Sequence, residues 1–267
     1  TLFRSSAASD VYKRQCLHSC VADASLYEQC VAPIAEFSEL CGRHGIRVVV
    51  VPIPPKWQVH PESVGDLPMV GPHPHRSAVL RSLADRGVET LDLAPVFAEA
   101  RAVDRDCLLY YRCDTHWSPE ATRLAAGAIA GRIGGERSDP GPPPRETAIR
   151  IDNGLARSLP GAEVYPETTE YPARVFESFE PRRGADVLIL GDSYSFPEIC
   201  ALPDEGGKPN VCGLPAQLVH ELGRRIDWIA CAGGGTGFSP KTFARRVSDI
   251  PGYLSLIHIS EPTRLAT

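Results

Sequence analysis

The chain has 267 residues, of which 43% are hydrophobic and 23% are charged, and its formal net charge is −5. This composition is typical of a globular protein that can bury a hydrophobic core. The acidic balance offers no basic surface for phosphate backbones, so nucleic-acid binding is not expected.

Both ends of the chain carry sequence that is typical of a translated DNA adapter. A short DNA element whose codons read Asp10 to Gln15 has a reverse complement that reads Leu254 to Ile259, so one transposase-like element can encode both ends. Such segments are set aside before the fold is considered. We predict that residues 1–15 and 254–267 are adapter with few contacts to the domain. Residues 16–253 are then one catalytic domain, a fragment that lacks the native termini.

Helical and strand patterns alternate through the first half of that domain. Apolar residues spaced three or four apart predict a helix over 24–44, and β-branched residues predict a buried strand over 46–53. The elements predicted next are a helix at 76–86, a strand at 88–93, a helix at 95–102, and a helix capped by Ser118 that continues to Ile133.

The second half begins with a stretch rich in Gly, Ser and Pro, and no regular element is predicted from 134 to 186. This stretch is interpreted as an insertion or a mobile cover. The elements predicted after it are a strand at 186–190, a helix at 214–224, a strand at 226–230, a tight loop at 233–235 and a helix at 241–248. The alternation predicts a three-layer α/β/α sandwich with a mostly parallel sheet, in which sites lie at the carboxyl ends of strands.

Ser193 follows one of these strands in a Gly191-Asp192-Ser193 turn. Glycine permits a sharp bend there, so the serine hydroxyl can project into the crevice at the strand end. A serine hydroxyl becomes a good nucleophile only when a base takes its proton and a third group orients the base. Gly-Asp-Ser is also a common turn sequence, with Asp192 as a turn former, and the motif alone leaves a structural role open.

Asp114, Thr115, His116 and Trp117 directly precede the cap of the fourth predicted helix. With one residue between them, Asp114 and His116 can lie on the same side of an extended loop, so the carboxylate could orient the imidazole. The pair could equally be half of a metal site, or a helix-start aspartate beside a solvated histidine. None of the other histidines has comparable neighbours. Nine cysteines match no zinc or thioredoxin spacing, and no metal or cofactor is expected.

Taken together and in this order, the motifs resemble the SGNH-hydrolase-like domain of alginate O-acetyltransferases. The resemblance is carried by residues 51–56, 91–95, 110–117, 191–195 and 233–235. It implies a nucleophilic Ser193, His116 as its base and Asp114 as the group that orients the base. It also implies a periplasmic or cell-surface enzyme of exopolysaccharide biosynthesis. Its partners would be a polysaccharide acceptor and an acetyl donor, for which a membrane acyltransferase is one source.

The resemblance defines two roles at this site less clearly: binding of the oxyanion and contact with the sugar. The Gly-x-Asn-Asp block of the wider superfamily has no clear match, so the backbone N–H groups of Ser193 and Gly234 are assigned to the oxyanion; a tight turn alone would equally explain the glycines. Tyr111, Arg112 and Trp117 flank His116 and are predicted to contact the sugar. At least one of these side chains is expected to belong to the core instead.

The predicted reaction starts when His116 takes the proton of Ser193, which attacks an acyl donor to give an acyl-enzyme. A polysaccharide hydroxyl then accepts the acetyl group. With water as the acceptor the same residues form a carbohydrate acetylesterase. A non-catalytic polysaccharide-binding or assembly protein could keep the fold, and a metal-dependent phosphoesterase would need further ligands, for which no suitably spaced set is found.

Overall fold

The computed structural model describes residues 24–64, 74–112, 114–135, 143–152, 168–196, 199–201, 209–230 and 255–260. The helices in these ranges are α1 (Ala24–Arg43), α2 (Lys56–Val59), α3 (Pro74–Asp85), α4 (Ala94–Val103), α5 (Pro119–Ile133) and α6 (Leu214–Leu222), with 3₁₀ turns at Pro61–Val64 and Ser193–Ser195. The strands are β1 (Arg47–Pro52), β2 (Glu89–Thr90), β3 (Arg145–Asp152), β4 (Thr168–Val175), β5 (Val187–Gly191), β6 (Ile199–Ala201), β7 (Pro209–Val211), β8 (Ile226–Ala230) and β9 (Ser255–Ser260).

The largest sheet among the described residues has five strands in the order β2-β1-β9-β5-β8, and each pairing in it is parallel. Successive side chains of β1 enter different cores: Val49 and Val51 join one apolar cluster, and Val48 and Val50 join the other. A strand that is buried on both faces needs apolar residues at nearly every position. This requirement explains why β5, and β1 after the exposed Arg47, are uninterrupted apolar runs.

Helices cover the two faces of this sheet. Val31 of α1 and Leu83 of α3 pack with Val48 and Val50 on one face. On the other face Phe97 of α4, Ala125 of α5 and Leu218 of α6 pack with Val49 and Val51. The core therefore lies on both sides of the sheet and holds the carboxyl ends of β1 and β5 at one edge.

Most of the predicted helices and strands are confirmed within a few residues. The cap of α5 is also confirmed, because the hydroxyl of Ser118 accepts a hydrogen bond from the N–H of Ala121 at 3.3 Å. The strand predicted over 88–93 is shorter in the structure, since the Asp92 carboxylate accepts from the N–H of Ala94 at 2.7 Å and turns the chain into α4. The loop predicted at 233–235 and the helix predicted at 241–248 lie outside the described residues.

The stretch for which no element was predicted contains an antiparallel hairpin of β3 and β4. It pairs Arg145 with Val175 at one end and Asp152 with Thr168 at the other. Its inner face packs in an apolar cluster with a residue of the loop before α5; the cluster comprises Tyr111, Ile149, Tyr171, Ala173, Val175 and Cys212. Pro172 lies within β4, and a proline inside a run argues against a strand, which hides this one in the sequence.

One expectation about the chain ends is wrong. Residues 254–267 were expected to make few contacts, but Ser255–Ser260 form β9 and pair with β1 on one side and with β5 on the other. The backbone N–H and C=O groups of β1 and β5 that face each other need hydrogen-bond partners, which a strand between them supplies. The apolar residues Leu256, Ile257 and Ile259 suit such a strand. That a DNA adapter encodes this segment stays a prediction, and residues 1–15 lie outside the described ranges.

Two kinds of feature are absent from the described ranges. No helix there combines the length and the apolar character needed to cross a membrane. In the same ranges, no cluster of three or more His, Cys, Asp or Glu side chains is arranged to hold a metal ion.

Candidate active site

Ser193 begins a single 3₁₀ turn just beyond the carboxyl end of β5. Asp192 shapes this turn: its carboxylate accepts from the N–H of Tyr194 at 3.0 Å, and its carbonyl accepts from the N–H of Ser195 at 3.0 Å. These two hydrogen bonds confirm the prediction that Asp192 forms the turn, and its side chain is buried there. The turn leaves the partly exposed Ser193 at the edge of the sheet, which is where a reactant could reach it.

His116 and Asp114 lie on a closed loop that precedes α5. An antiparallel bridge between Tyr110 and Trp117 joins the two ends of the loop, and the N–H of Tyr111 donates to the carbonyl of His116 at 3.1 Å. Within the loop, the Asp114 carboxylate accepts from the backbone N–H of His116 at 2.9 Å. The spacing of two residues therefore holds both side chains on the same side of the loop.

The structure brings Ser193, His116 and Asp114 into one hydrogen-bonded chain. The Ser193 Oγ lies 2.8 Å from His116 Nε2, and His116 Nδ1 lies 2.7 Å from Asp114 Oδ1. A carboxylate beside Nδ1 assigns the ring proton to that nitrogen, which leaves Nε2 free to accept the serine proton. This arrangement has the geometry of a nucleophile, a base and an orienting group.

The charge of Asp114 supports this assignment of protons. Burial is the largest single influence on the pKa of Asp114 and raises it, but hydrogen bonds from the ring and backbone of His116 outweigh it. They lower the pKa from 3.8 to about 2. The carboxyl group is therefore ionised at neutral pH and can stabilise a positive charge on the imidazole. Its contribution to stability is complete above its ordinary pKa and is lost as the pH falls through about 2.

Tyr194 fixes the imidazole from a second direction. Its ring lies 4.8 Å from the ring of His116 between centroids, with a tilt of 33°, and its hydroxyl donates to the carbonyl of Thr115 at 2.8 Å. Trp117 packs edge-on against Tyr194 at 5.8 Å. Tyr194 belongs to the Gly-Asp-Ser-Tyr motif, but the sequence offered no signal that its ring would contact the loop.

The interpretation of two aromatic residues as sugar contacts is corrected by the structure. Tyr111 is 5% exposed and Trp117 is 3% exposed, so neither can present a ring face to a polysaccharide. Tyr111 packs edge-on against Tyr171 of β4, and Trp117 belongs to the core beneath α5. Both rings anchor the loop: Tyr111 holds it against the hairpin, and Trp117 holds it against the core of the sheet.

The remaining predicted residues have different outcomes. Arg112 is exposed on the same loop, and its contact with substrate stays a prediction. Its backbone N–H donates to the hydroxyl of Tyr171 at 2.8 Å, which links the loop to the β3–β4 hairpin. The oxyanion role of the Ser193 N–H also stays a prediction, and Gly234 lies outside the described residues.

His60 is a structural residue that sequence reasoning passed over. It is buried, its Nε2 lies 3.1 Å from the backbone N–H of Leu109, and its Nδ1 lies 3.0 Å from Glu62. Because Nε2 accepts from an N–H, the ring is neutral with its proton on Nδ1. Burial is the largest influence on the pKa of His60 and lowers it below 6.5. The hydrogen bond to Glu62 raises the pKa and partly opposes burial, while the positive charge of Arg101 lowers it further.

We expect the stability of the protein to fall in mild acid because of His60. The folded state disfavours the protonated ring, so this contribution is complete above about pH 6.5 and is lost as the pH falls through the lowered pKa. Thermal unfolding between about pH 8 and pH 5 measures it. His60→Gln does not titrate and should show a flatter Tm profile in this window, and a profile as steep as that of the wild type would contradict the assignment.

Comparison with known proteins agrees with this architecture. Residues 13–248 match the family described as SGNH hydrolase-like domain, acetyltransferase AlgX. A probable alginate O-acetylase AlgJ of Azotobacter vinelandii is 28% identical over 96 residues, which are 36% of this chain and 24% of that protein. The chain thus matches about a quarter of the length of this curated relative.

Two solved structures share the fold. The O-acetyltransferase domain of Pseudomonas putida AlgJ superposes with a TM-score of 0.67 at 18% identity, covering 91% of this chain and 84% of that domain. Pseudomonas aeruginosa AlgX superposes with a TM-score of 0.61 at 18% identity, covering 92% of this chain and 58% of AlgX. With the family match over most of its length, the chain belongs to the SGNH hydrolase-like domain family of the acetyltransferase AlgX.

Proposed function

We propose that this chain is an O-acetyltransferase that moves an acetyl group onto a hydroxyl of an exopolysaccharide through Ser193, His116 and Asp114. The observation that carries the proposal is the continuous chain of hydrogen bonds from the Ser193 hydroxyl through His116 to Asp114, at 2.8 and 2.7 Å. The family and the names of the relatives favour acetyl transfer, and alginate is the polymer that those names suggest.

In the first half of the reaction, His116 Nε2 takes the proton of Ser193 as its Oγ attacks the carbonyl carbon of an acetyl donor. The tetrahedral intermediate collapses, the donor's leaving group takes the proton from Nε2, and an acetyl ester remains on Ser193. Asp114 stabilises the imidazolium that forms between these steps. The developing oxyanion would accept from the N–H groups of Ser193 and Gly234.

In the second half, a sugar hydroxyl gives its proton to His116 Nε2 and attacks the acetyl-serine. The ester bond to Ser193 breaks, the serine oxygen takes the proton back, and the acetylated sugar leaves. About a third of the His116 side chain and two fifths of the Asp114 side chain are exposed, at 36% and 43%. An open site of this kind suits a polymer, which cannot enter an enclosed pocket.

The same exposure favours the second candidate, a carbohydrate acetylesterase. Water can reach an acyl-enzyme whose base is accessible to solvent, and it would then replace the sugar hydroxyl as acceptor. The two activities share the first half-reaction, so they differ only in what the open side of the site binds. Arg112 is exposed on the loop of His116 and is proposed to contact an acidic acceptor.

Several broader features belong to the same proposal. Residues 16–253 together with β9 would be one domain, a three-layer α/β/α sandwich with a mostly parallel sheet. The protein would act in the periplasm or at the cell surface, with a membrane acyltransferase as a source of acetyl groups. The helices on both faces of the sheet support the sandwich. The compartment and the source of acetyl groups extend the resemblance to alginate O-acetyltransferases.

Acetyl transfer to oligosaccharides tests the proposal. An aryl acetate serves as donor, and uronic-acid or neutral oligosaccharides serve as acceptors. We expect mass spectrometry to find an acetyl group on Ser193 and acetylated oligosaccharide in excess of free acetate. Hydrolysis that no acceptor alters would select the esterase. A protein that binds the polymer but never carries an acetyl group would be a non-catalytic binding protein, and the proposal would fail.

A further inference from the structure

Lys56 reaches from the end of one strand into the loop that carries the base and its orienting acid. It is the first residue of α2, and only Ile53, Pro54 and Pro55 separate it from the carboxyl end of β1. Its ammonium donates to the backbone carbonyls of Tyr111 at 2.6 Å, Arg112 at 2.9 Å and Asp114 at 3.0 Å. The three acceptors lie around the turn of the loop, so the contact holds the backbone of this turn in place.

The chemistry of the contact suits a lysine. Three carbonyl oxygens that converge on one point repel each other unless a cation lies between them. A lysine ammonium is a compact charge with three donors that can point at three such acceptors, whereas an arginine presents its donors in a flat fork. The loop therefore depends on a positive charge supplied from a residue more than fifty positions earlier in the chain.

The bridge between Tyr110 and Trp117 closes the ends of the loop, and other contacts hold its outside. Tyr194 donates to the carbonyl of Thr115, and the N–H of Arg112 donates to Tyr171. Each of these bonds touches one point of the loop. Lys56 instead holds three carbonyls around the turn of the loop, including that of Asp114, whose carboxylate has to meet His116.

We propose that Lys56 is a positioning residue for the proposed reaction, which keeps Asp114 and His116 aligned with Ser193 by holding the carbonyls of their loop. This role rests on the proposed function. The hydrogen bonds of Lys56 given above are with backbone carbonyls of the loop, so it should act on the rate of the chemical step and not on the binding of substrate. Its loss should lower kcat and leave KM unchanged.

Two variants and one control test this role. Lys56→Met keeps the stem and removes the donors, and it should lower kcat by between about 10- and 100-fold, the loss typical of a misplaced catalytic group. Lys56→Arg keeps the charge and should retain more activity than Lys56→Met but less than the wild type. Arg81→Met removes one positive charge from an exposed position of α3 and should leave both kcat and KM unchanged.

A spectroscopic readout separates this role from the proposed function. The Nδ1 proton of His116, held by Asp114, should give a downfield proton resonance in the wild type and in Arg81→Met, whether or not the protein transfers acetyl groups. In Lys56→Met this resonance should weaken or disappear. A wild type without activity would sink the proposed function, while the resonance would still report on Lys56.

Three results would overturn the role. They are an unchanged resonance in Lys56→Met, a kcat equal to that of the wild type, and a raised KM at constant kcat, which would assign Lys56 to substrate binding. If Lys56→Met does not fold, circular dichroism will show it. The role of Lys56 is then tested with Lys56→Arg. Wild-type kcat and an unchanged resonance in that variant would overturn the role as well.

Discussion

Replacing Ser193 by alanine is expected to abolish acetyl transfer and aryl acetate hydrolysis together, with a loss in kcat on the order of 10⁶, the size documented for a serine protease. His116→Ala should lose as much, and the double variant should lose no more, because nucleophile and base act in the same covalent step. Asp114→Ala should lower kcat by less, since the carboxylate orients the ring and stabilises its charge but takes no part in the covalent step. Initial rates with an aryl acetate measure all four variants.

Ser195→Ala is the matched control for this series. Ser195 lies in the same 3₁₀ turn, but its hydroxyl donates to the carbonyl of Asp192 at 2.8 Å and is fully buried. Losing that hydrogen bond should lower the free energy of unfolding by about 1 kcal/mol and leave the acetyl-serine chemistry intact. Activity that survives Ser193→Ala, or an acetyl group found on another residue, would contradict the assignment of the nucleophile.

Local rules predict where Ser193 lies and that Asp114 lies beside His116, whereas the contact between Ser193 and His116, 77 residues apart, was predicted from the resemblance to the family. An apolar strand that runs into Gly-Asp-Ser puts the serine at a sheet edge, and two residues of spacing put the acid beside the base. The N-cap residue Ser118 then predicts where the loop ends and α5 begins. The helices were predicted for the same reason, since their periodicity is contained in short windows of sequence.

What could not be predicted depends on contacts between distant segments. Lys56 meets its loop more than fifty residues later, and no pattern around Lys56 indicates which carbonyls it will reach. Tyr111 was interpreted as a sugar contact because it flanks the base, but a hairpin that the sequence did not reveal buries it against Tyr171. Burial of an aromatic side chain near a site is a property of the tertiary structure, and Pro172 concealed the strand responsible.

Ending the chain at Tyr253 is expected to destroy most of its stability. β9 pairs with β1 on one side and β5 on the other, so its removal separates the pair β1–β2 from the pair β5–β8. The inner backbone groups of β1 and β5 would then lack partners within a buried sheet. The loss should be comparable to the whole free energy of unfolding of an ordinary domain, about 5 to 15 kcal/mol. Denaturant unfolding followed by circular dichroism measures it.

A peptide with the sequence of residues 254–260 should restore the stability of the shortened chain. Such a strand can pair with the backbone groups of β1 on one side and of β5 on the other. The matched control peptide carries proline at the position of Ile257, which cannot donate to the ladder and should not restore it. A shortened chain as stable as the full one would instead support the original expectation for this segment. Restored folding should bring back acetyl transfer as well, because Ser193 follows β5 and Lys56 follows β1, and β9 sets the distance between these two strands.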